Sequence, residues 1–261
     1  GGLEERSWIE SIHGRNKEEK EKWNRIAAKV TITPPNDIMM AFLMERNEKG
    51  EVIQDLNQKK EVWWTGIELW EAVKLGYVIN QIHEIMVWSK SEEIFNDFVT
   101  KAYQDKCDAE IAHNETKRTC SKMQMNALTG KFAQKLSLEG IYFVKTQNEL
   151  KGIKYTHLTT VDDNDGNVLG FIATIPQSFE TTSYPVHLSC FILAWSKVFM
   201  SRILRNMNGY RNPDHCPVYG DTDSYIINNE AFLSLPKKRV GKALGQLKSE
   251  IPGKIYETCC I

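Results

Sequence analysis

The chain has 261 residues, 41% hydrophobic and 26% charged, enough for one large domain or two small ones of ordinary globular composition. Its net charge of −1 excludes a global basic field of the kind that coats nucleic acid, although a local groove stays open. The six cysteines form no Cys-x-x-Cys pair and no signal peptide is visible, so reduced thiols in an unsecreted, intracellular protein are expected. Cys259-Cys260 could join a metal site completed further on, and no apolar run reaches the roughly 18 residues of a membrane span.

Residues 1–29 are rich in Glu, Lys and Arg, and Lys17 to Arg25 reads as a solvated charged helix, with Trp8, Ile9, Trp23 and Ile26 as apolar anchors. The start on Gly1-Gly2 suggests a segment of something longer. Val30 to Thr33 and Ile38 to Glu45 read as strands parted by Pro34-Pro35-Asn36-Asp37, and Asn47 to Gly50 as a second turn. Glu61 to Trp64 is a short strand. Thr65-Gly66-Ile67-Glu68 has capping-box spacing and predicts a helix closed by Gly76. Tyr77 to Trp88 is β-rich, and Ser91 opens a helix with Ile94, Phe95, Phe98, Val99, Ala102 and Tyr103 on one stripe.

A long helix is predicted from about Thr116 to Lys135. From Thr116 to Leu138 there are five cations and no acid. Arg118, Lys122 and Asn126 step by four and share a face, which Thr129 and Gly130 extend; an anion there would relieve the repulsion between cations, and a solvated basic face is the plainer alternative. Residues 138–174 read as a β-meander with an acidic turn at 162–167; that turn lacks the Glu a calcium loop requires, because Ala173 stands in its place. Pro185 opens a core helix to about Asn206. Pro236-Lys237-Lys238-Arg239 leads into a helix through Ala243, Leu244 and Leu247.

The most informative stretch is Tyr219-Gly220-Asp221-Thr222-Asp223-Ser224, between Cys216-Pro217-Val218 and Tyr225-Ile226-Ile227. It reads as strand, tight turn, strand, with Gly220 supplying positive φ and a buried sheet behind the tip. Two carboxylates side by side repel unless a cation neutralises them. Hard oxygen donors suit Mg²⁺, and a Mg²⁺ pair on carboxylates is common apparatus for attack on a phosphate.

That string resembles the palm motif of family B DNA polymerases. Lys122-Met123-Gln124-Met125-Asn126-Ala127-Leu128-Thr129-Gly130 is similar to the family's fingers motif Lys-x-x-x-Asn-Ser-x-Tyr-Gly. Asn126-Ala127, Lys131-Phe132-Ala133, the run from Tyr184-Pro185 to Ala194-Trp195, and Lys237-Lys238-Arg239 resemble the protein-primed, adenovirus-like branch in particular. The resemblance covers most of residues 28–261. It implies an α+β right-hand palm, an antiparallel sheet with helices, carrying a helical fingers insertion. Residues 1–90 would be palm-associated, 91–137 fingers, and 138–261 palm with the catalytic hairpin.

The resemblance further implies DNA synthesis from dNTPs on a DNA template-primer, with a terminal protein hydroxyl as first primer. Mg²⁺ would sit at Asp223 with Asp221 a weaker ligand, in a two-metal site. Lys122 and Arg118 would hold the triphosphate, Asn126 would support them, and Thr129 and Tyr219 would line the nucleotide site. Lys131, Lys237, Lys238 and Arg239 would meet DNA. The nucleus or a viral replication site is the expected location, with no membrane partner. The family's Asp-x-x-Ser-Leu-Tyr-Pro motif, source of the other metal carboxylate, is absent from these residues, so this stretch alone is expected not to polymerise. Thr129 stands where Tyr is usual, which bears on sugar discrimination. Alternatives are a polymerase relic that only binds nucleic acid, or a sugar-nucleotide transferase, against which the basic helix argues. Reverse transcriptases carry adjacent aspartates instead.

Overall fold

The computed structural model describes residues 2–14, 17–133, 139–176, 185–241, 243 and 245–249. Of the residues named above, Gly1, Lys135, Leu138, Tyr184, Leu244, Cys259 and Cys260 lie outside the described set. The chain is α+β, with antiparallel sheets, and divides into two compact units: Gly1–Thr100 with Cys190–Ile261, and Lys101–Ser189.

In the first unit α1 (Gly2–Gly14) and α2 (Lys17–Trp23) precede β1 (Ile26–Thr33). Helix α2 keeps Glu18, Glu21 and Lys22 at the surface and anchors itself through Trp23, as its pattern suggests. Trp23 is fully buried, lies edge-on to Trp8 and donates its indole N–H to Ser11 Oγ at 2.9 Å. Strand β1 alternates strictly, burying Ile26, Ala28, Val30 and Ile32. A small hairpin, β2 (Glu45–Arg46) and β3 (Val52–Ile53), leads to β4 (Lys59–Thr65), α3 (Gly66–Leu75) and β5 (Val78–Val87). Strands β4 and β5 flank β1, both antiparallel to it. The other face of this sheet is mixed: Lys29 stands 3.6 Å from Glu61 and 3.3 Å from Glu84, beside the exposed Trp63, Val78 and Met86.

Helix α3 forms where the sequence directs. Thr65 Oγ1 accepts from the Glu68 backbone N–H, Glu68 reaches back to the Thr65 N–H, and Gly76 closes the helix at φ 106°. Gly66 is required for a different reason: a Cβ there would lie 2.0 Å from the Trp23 carbonyl oxygen. All of α3 except Lys74 is buried.

The expected strand Ile38–Glu45 is instead an irregular buried segment up to Met44. Ile38, Ala41, Phe42 and Leu43 are core, and the backbone finds tertiary partners: Met39 N–H donates to the Tyr210 carbonyl and Phe42 N–H to the Tyr77 hydroxyl. Apolar content marked burial correctly, but hydrogen bonds to distant groups replaced a ladder.

Helix α4 (Asn96–Ile111) starts five residues later than Ser91, leaving Ile94 exposed, and α5 (Glu115–Ala133) follows. Strands β6 (Glu139–Val144), β7 (His157–Asp162) and β8 (Val168–Pro176) form a sheet in the order β6-β8-β7. It is therefore not a meander: β7 and β8 make the hairpin, and β6 adds to the far edge of β8. In the β7–β8 turn, the Asp163 carboxylate accepts from the Asp165 and Asn167 backbones and the Asn167 amide; these bonds, the Asn167 side chain first, lower its pKa.

Helix α6 (Val186–Asn206) carries Val198, Ile203 and Leu204 into the first unit's core. By length and composition it is apolar enough to cross a membrane, which corrects the expectation that no stretch is. Its lysine and arginines, however, pair with acids of α3. Lys197 pairs with Glu68 at 3.0 Å, and Arg202 with the fully buried Glu71 at 3.1 Å. Arg205 is also 3.1 Å from Glu71, within ion-pair range but out of line for a hydrogen bond to Oε1.

The hairpin β9 (Tyr219–Asp221) and β10 (Ser224–Ile226) follows, then α7 (Asn229–Leu233). In place of a helix through Ala243 and Leu247 there is a 3₁₀ turn at Lys237–Arg239 and a bridge between Val240 and Leu247. Gly241 and Gly245 with positive φ break the helical path.

Removing Glu71 should expose how much this packing depends on the pairing. Glu71→Ala leaves two guanidiniums facing a void, but both are partly exposed and can rehydrate. The expected loss is about 2–3 kcal/mol, below the 3–5 of a fully buried pair. Urea denaturation measures it; a loss under about 1 kcal/mol would show the pairing contributes little.

Candidate active-site hairpin and basic helix

The hairpin pairs Ser224 with Asp221, Tyr225 with Gly220 and Ile226 with Tyr219, and the Val218 N–H extends the ladder to the Ile226 carbonyl. Its turn is Thr222-Asp223, and the residue with positive φ is Thr222, at 45°. Gly220 is not the turn residue expected of it. It lies within β9 beneath the Tyr225 ring, where a Cβ would come within 2.8 Å of the aromatic carbons. Nor is the tip backed by a larger sheet: among the described residues β9 and β10 pair only with each other. What holds the hairpin is Tyr225 and Ile227, packed on the core cluster, and Asn228, which donates to the Asp214 carbonyl and caps α7 through the Ala231 N–H.

Asp221 and Asp223 are both exposed at the tip. One oxygen of Asp221 accepts the Thr222 hydroxyl at 2.9 Å, and its carbonyl receives Ser224 Oγ at 3.1 Å. The Asp223 carboxylate makes no hydrogen bond among the described residues. No group of three metal-ligating side chains occurs among those residues. Two acidic oxygen donors with open approach match the ligand chemistry of a hard cation in part, and further ligands would have to come from water, substrate or residues not described. Tyr219, 57% exposed, flanks the tip.

In the second unit, Asn114 caps α5 by accepting the Lys117 N–H at 2.9 Å. Arg118, Lys122 and Asn126 share a face as spaced, but their electrostatics differ from the sequence expectation. Arg118 pairs with Glu115 at 2.8 Å, one position before the acid-free stretch, so the repulsion with Lys122 is relieved within the helix. Lys117 stands 3.8 Å from Asp105 of α4. Lys122 is exposed and has no ion pair among the described residues. Thr129 and Lys131 continue the helix. In the first unit Lys237 and Lys238 are exposed, whereas Arg239 lies over the Phe199 ring at 5.6 Å with its Nε buried and unpartnered. The side chains expected to form one site are thus divided: Asp221, Asp223, Tyr219 and Lys237–Arg239 in the first unit, Arg118 to Lys131 in the second.

The acids on α3 that pair with α6 carry no local sequence signal as a set. Glu71 stands one turn from the capping Glu68, and its cationic partners are more than 100 residues away.

Residues 5–208 match the family of organellar and viral type B DNA polymerases, and the chain belongs to it. That stretch includes α5 and stops short of the acidic hairpin. Among curated proteins the chain is similar to a DNA polymerase of Kluyveromyces lactis, 27% identical over 238 residues, covering 85% of this chain and 23% of that protein. It is also similar to a probable DNA polymerase of Neurospora intermedia, 28% identical over 197 residues, covering 73% of this chain and 18% of the other. A DNA polymerase of snake adenovirus serotype 1 is 22% identical over 239 residues, covering 65% and 22%. The chain thus spans under a quarter of the length of these relatives, and no solved structure matches it.

Tyr225 gives the hairpin a pH signature. Burial pushes its phenol up to about 12 from the usual value of about 10. The folded pKa is raised, so its contribution to stability is full below about pH 10 and lost as pH climbs through about 12. Tyr225→Phe has no proton to lose. The stability difference between wild type and Tyr225→Phe is expected to shift against wild type by about 3 kcal/mol across that window, at 1.36 kcal/mol per pKa unit. Parallel denaturant melts at several pH values measure this; curves that stay parallel would show that the phenol is not buried.

Proposed function

We propose that this chain is the palm-and-fingers portion of a protein-primed DNA polymerase, with palm segments at 1–90 and 138–261 and fingers helices at 91–137. The observation that carries the reading is the exposed Asp221/Asp223 pair at a hairpin tip in a chain of the type B family. Template-directed extension of DNA from dNTPs is the proposed activity, and a terminal protein is the proposed first primer.

Asp223 is the freer ligand for Mg²⁺, and Asp221, already receiving a hydroxyl, the weaker. Bound there, Mg²⁺ would supply charge neutralisation at the phosphoryl oxygens. Lys122 offers a point charge for a phosphate of the incoming nucleotide. Arg118 offers a second contact by leaving Glu115, an exposed pair worth about 0–1 kcal/mol against about 1.5–3 for a bond to a charged phosphate. Asn126 supports that face, and Thr129 and Tyr219 line the nucleotide in this reading. Lys131, Lys237 and Lys238 meet the DNA backbone. Arg239, held over Phe199, contributes less to it.

In a polymerase containing this chain, Asp223→Asn should abolish primer extension while Asp221→Asn lowers it in part; equal and small effects would refute the ligand roles. Lys122→Ala should raise the KM for dNTP and slow turnover by roughly 5- to 150-fold, the equivalent of about 1–3 kcal/mol, with DNA affinity little changed. Lys237→Ala should do the reverse, weakening DNA binding in a salt-dependent way. Weakened DNA binding with intact dNTP kinetics in Lys122→Ala would make the α5 face a backbone patch instead.

A further inference from the structure

A shallow cleft of about 260 Å³ opens in the first unit where α2, the start of β1 and the end of β5 meet. Among the described residues it is lined by Trp8 and Trp88, the aliphatic Ile26 and Val87, Ser89, and two cations, Lys22 and Arg25, with no acid. None of these residues belongs to the hairpin or the basic helix.

The cleft is organised before any ligand arrives. Trp88 donates its backbone N–H to the Arg25 carbonyl at 2.9 Å, and its ring is held edge-on against Phe191 at 5.2 Å. Arg25 Nη1 donates to the Ser89 carbonyl at 3.3 Å, which draws the guanidinium toward the same wall. Lys22 pairs with Glu19 at 2.7 Å, an exposed contact that a phosphate can displace at little cost.

Size and chemistry narrow the occupant. Pockets that enclose a whole small ligand run from about 300 to 1,000 Å³. A smaller, open cleft suits one unit of a longer molecule whose remainder stays in solvent. Indoles beside cations suit a ligand that is aromatic and anionic at adjacent positions, which is the repeat of a nucleic-acid strand. Any base can stack on a tryptophan face while its phosphate meets Lys or Arg, and only an unpaired base has its face free.

We infer that this cleft binds one nucleotide of single-stranded DNA, the base against an indole and the phosphate between Lys22 and Arg25. The choice of DNA rests on the polymerase reading; the strand-binding chemistry does not.

The test is fluorescence anisotropy of labelled oligothymidylate with the 261-residue chain, titrated over a range of salt. Trp88→Ala should weaken binding roughly 5- to 100-fold, in line with the loss of one stacked base. Arg25→Ala should lower the slope of log affinity against log salt by about 0.7, one phosphate contact on a single strand. Because Trp88 also packs on Phe191, Lys22→Glu serves as the surface variant that spares the fold, and it should weaken binding several-fold. Removing divalent cations with EDTA should leave this binding unchanged, because the contacts are stacking and Lys/Arg to phosphate, so failure of the hairpin's proposed metal role would leave this result standing. Unchanged affinity in both Lys22→Glu and Trp88→Ala would overturn the inference, as would absence of oligothymidylate binding by the wild type. Equal competition by inorganic polyphosphate with no Trp88 dependence would reduce the cleft to a charge patch and overturn it too.

Discussion

The first unit depends on a buried carboxylate. Helix α3 is enclosed so fully that Glu71 has no water to face, and an unpaired charge in that position would cost several kcal/mol. The sequence meets this by placing Arg202 and Arg205 on one stretch of α6, with Lys197 for Glu68 a little earlier. Lys197 also lies over the Phe42 and Trp64 rings, so the pairing joins the irregular segment 38–44 to the sheet. Lys74, on the same helix, shows the crowding: burial, partly countered by Glu71, and the nearby Arg202, Arg205 and Lys20 lower its amine's pKa. Helix α6 is thus fixed in position and rotation, not merely packed. The chain leaving it is tied in turn: Tyr210 donates to Ser201 Oγ, and Arg211 grips Asp37 at 2.6 Å and the Leu75 carbonyl at 2.8 Å. The hairpin begins a few residues later, so the placement of Asp221 and Asp223 is inherited from charges buried on α3.

Local chemistry was the part of the fold legible in the sequence. The Thr65–Glu68 capping box and the Gly76 stop encode their own helix because every partner lies within a few residues. The alternation of Ile26, Ala28, Val30 and Ile32 belongs to β1 for the same reason, even though only its second half was expected as strand. Segment 38–44 reads as strand because its apolar residues are buried, but its hydrogen bonds go to Tyr77 and Tyr210, which no local pattern reveals. The β6-β8-β7 order fails as a meander for a similar reason: pairing β6 with β8 is a long-range choice that alternation within each strand leaves open.

The candidate site was legible in composition and less so in detail. A hairpin at 219–226 with two acids at its tip follows from the string itself. The role of Gly220 does not. A glycine beside a turn reads as the turn residue, yet Thr222 takes the left-handed conformation while its hydroxyl donates to Asp221, and Gly220 makes room for Tyr225. The tyrosine, not the glycine or the acids, ties the tip to the core. Arg239 likewise reads as one more cation in a basic run, but its guanidinium is spent on Phe199.

Net charge near zero and the proposed role on polyanions are compatible because cations are neutralised selectively. Arg118 has Glu115, Lys117 has Asp105, and Lys29 stands between Glu61 and Glu84. Those pairs are exposed, so each contributes little to stability and yields to a phosphate at low cost. The cations at Glu71 differ in kind: releasing Arg202 would leave a buried carboxylate short of a partner, so they are structural and not free to bind ligands. Charge number therefore misleads where burial does not. The lysines and arginines able to meet a strand or a triphosphate are those paired at the surface or unpaired, such as Lys122, Lys237, Lys238, Lys22 and Arg118. A basic residue facing a buried acid holds the scaffold instead.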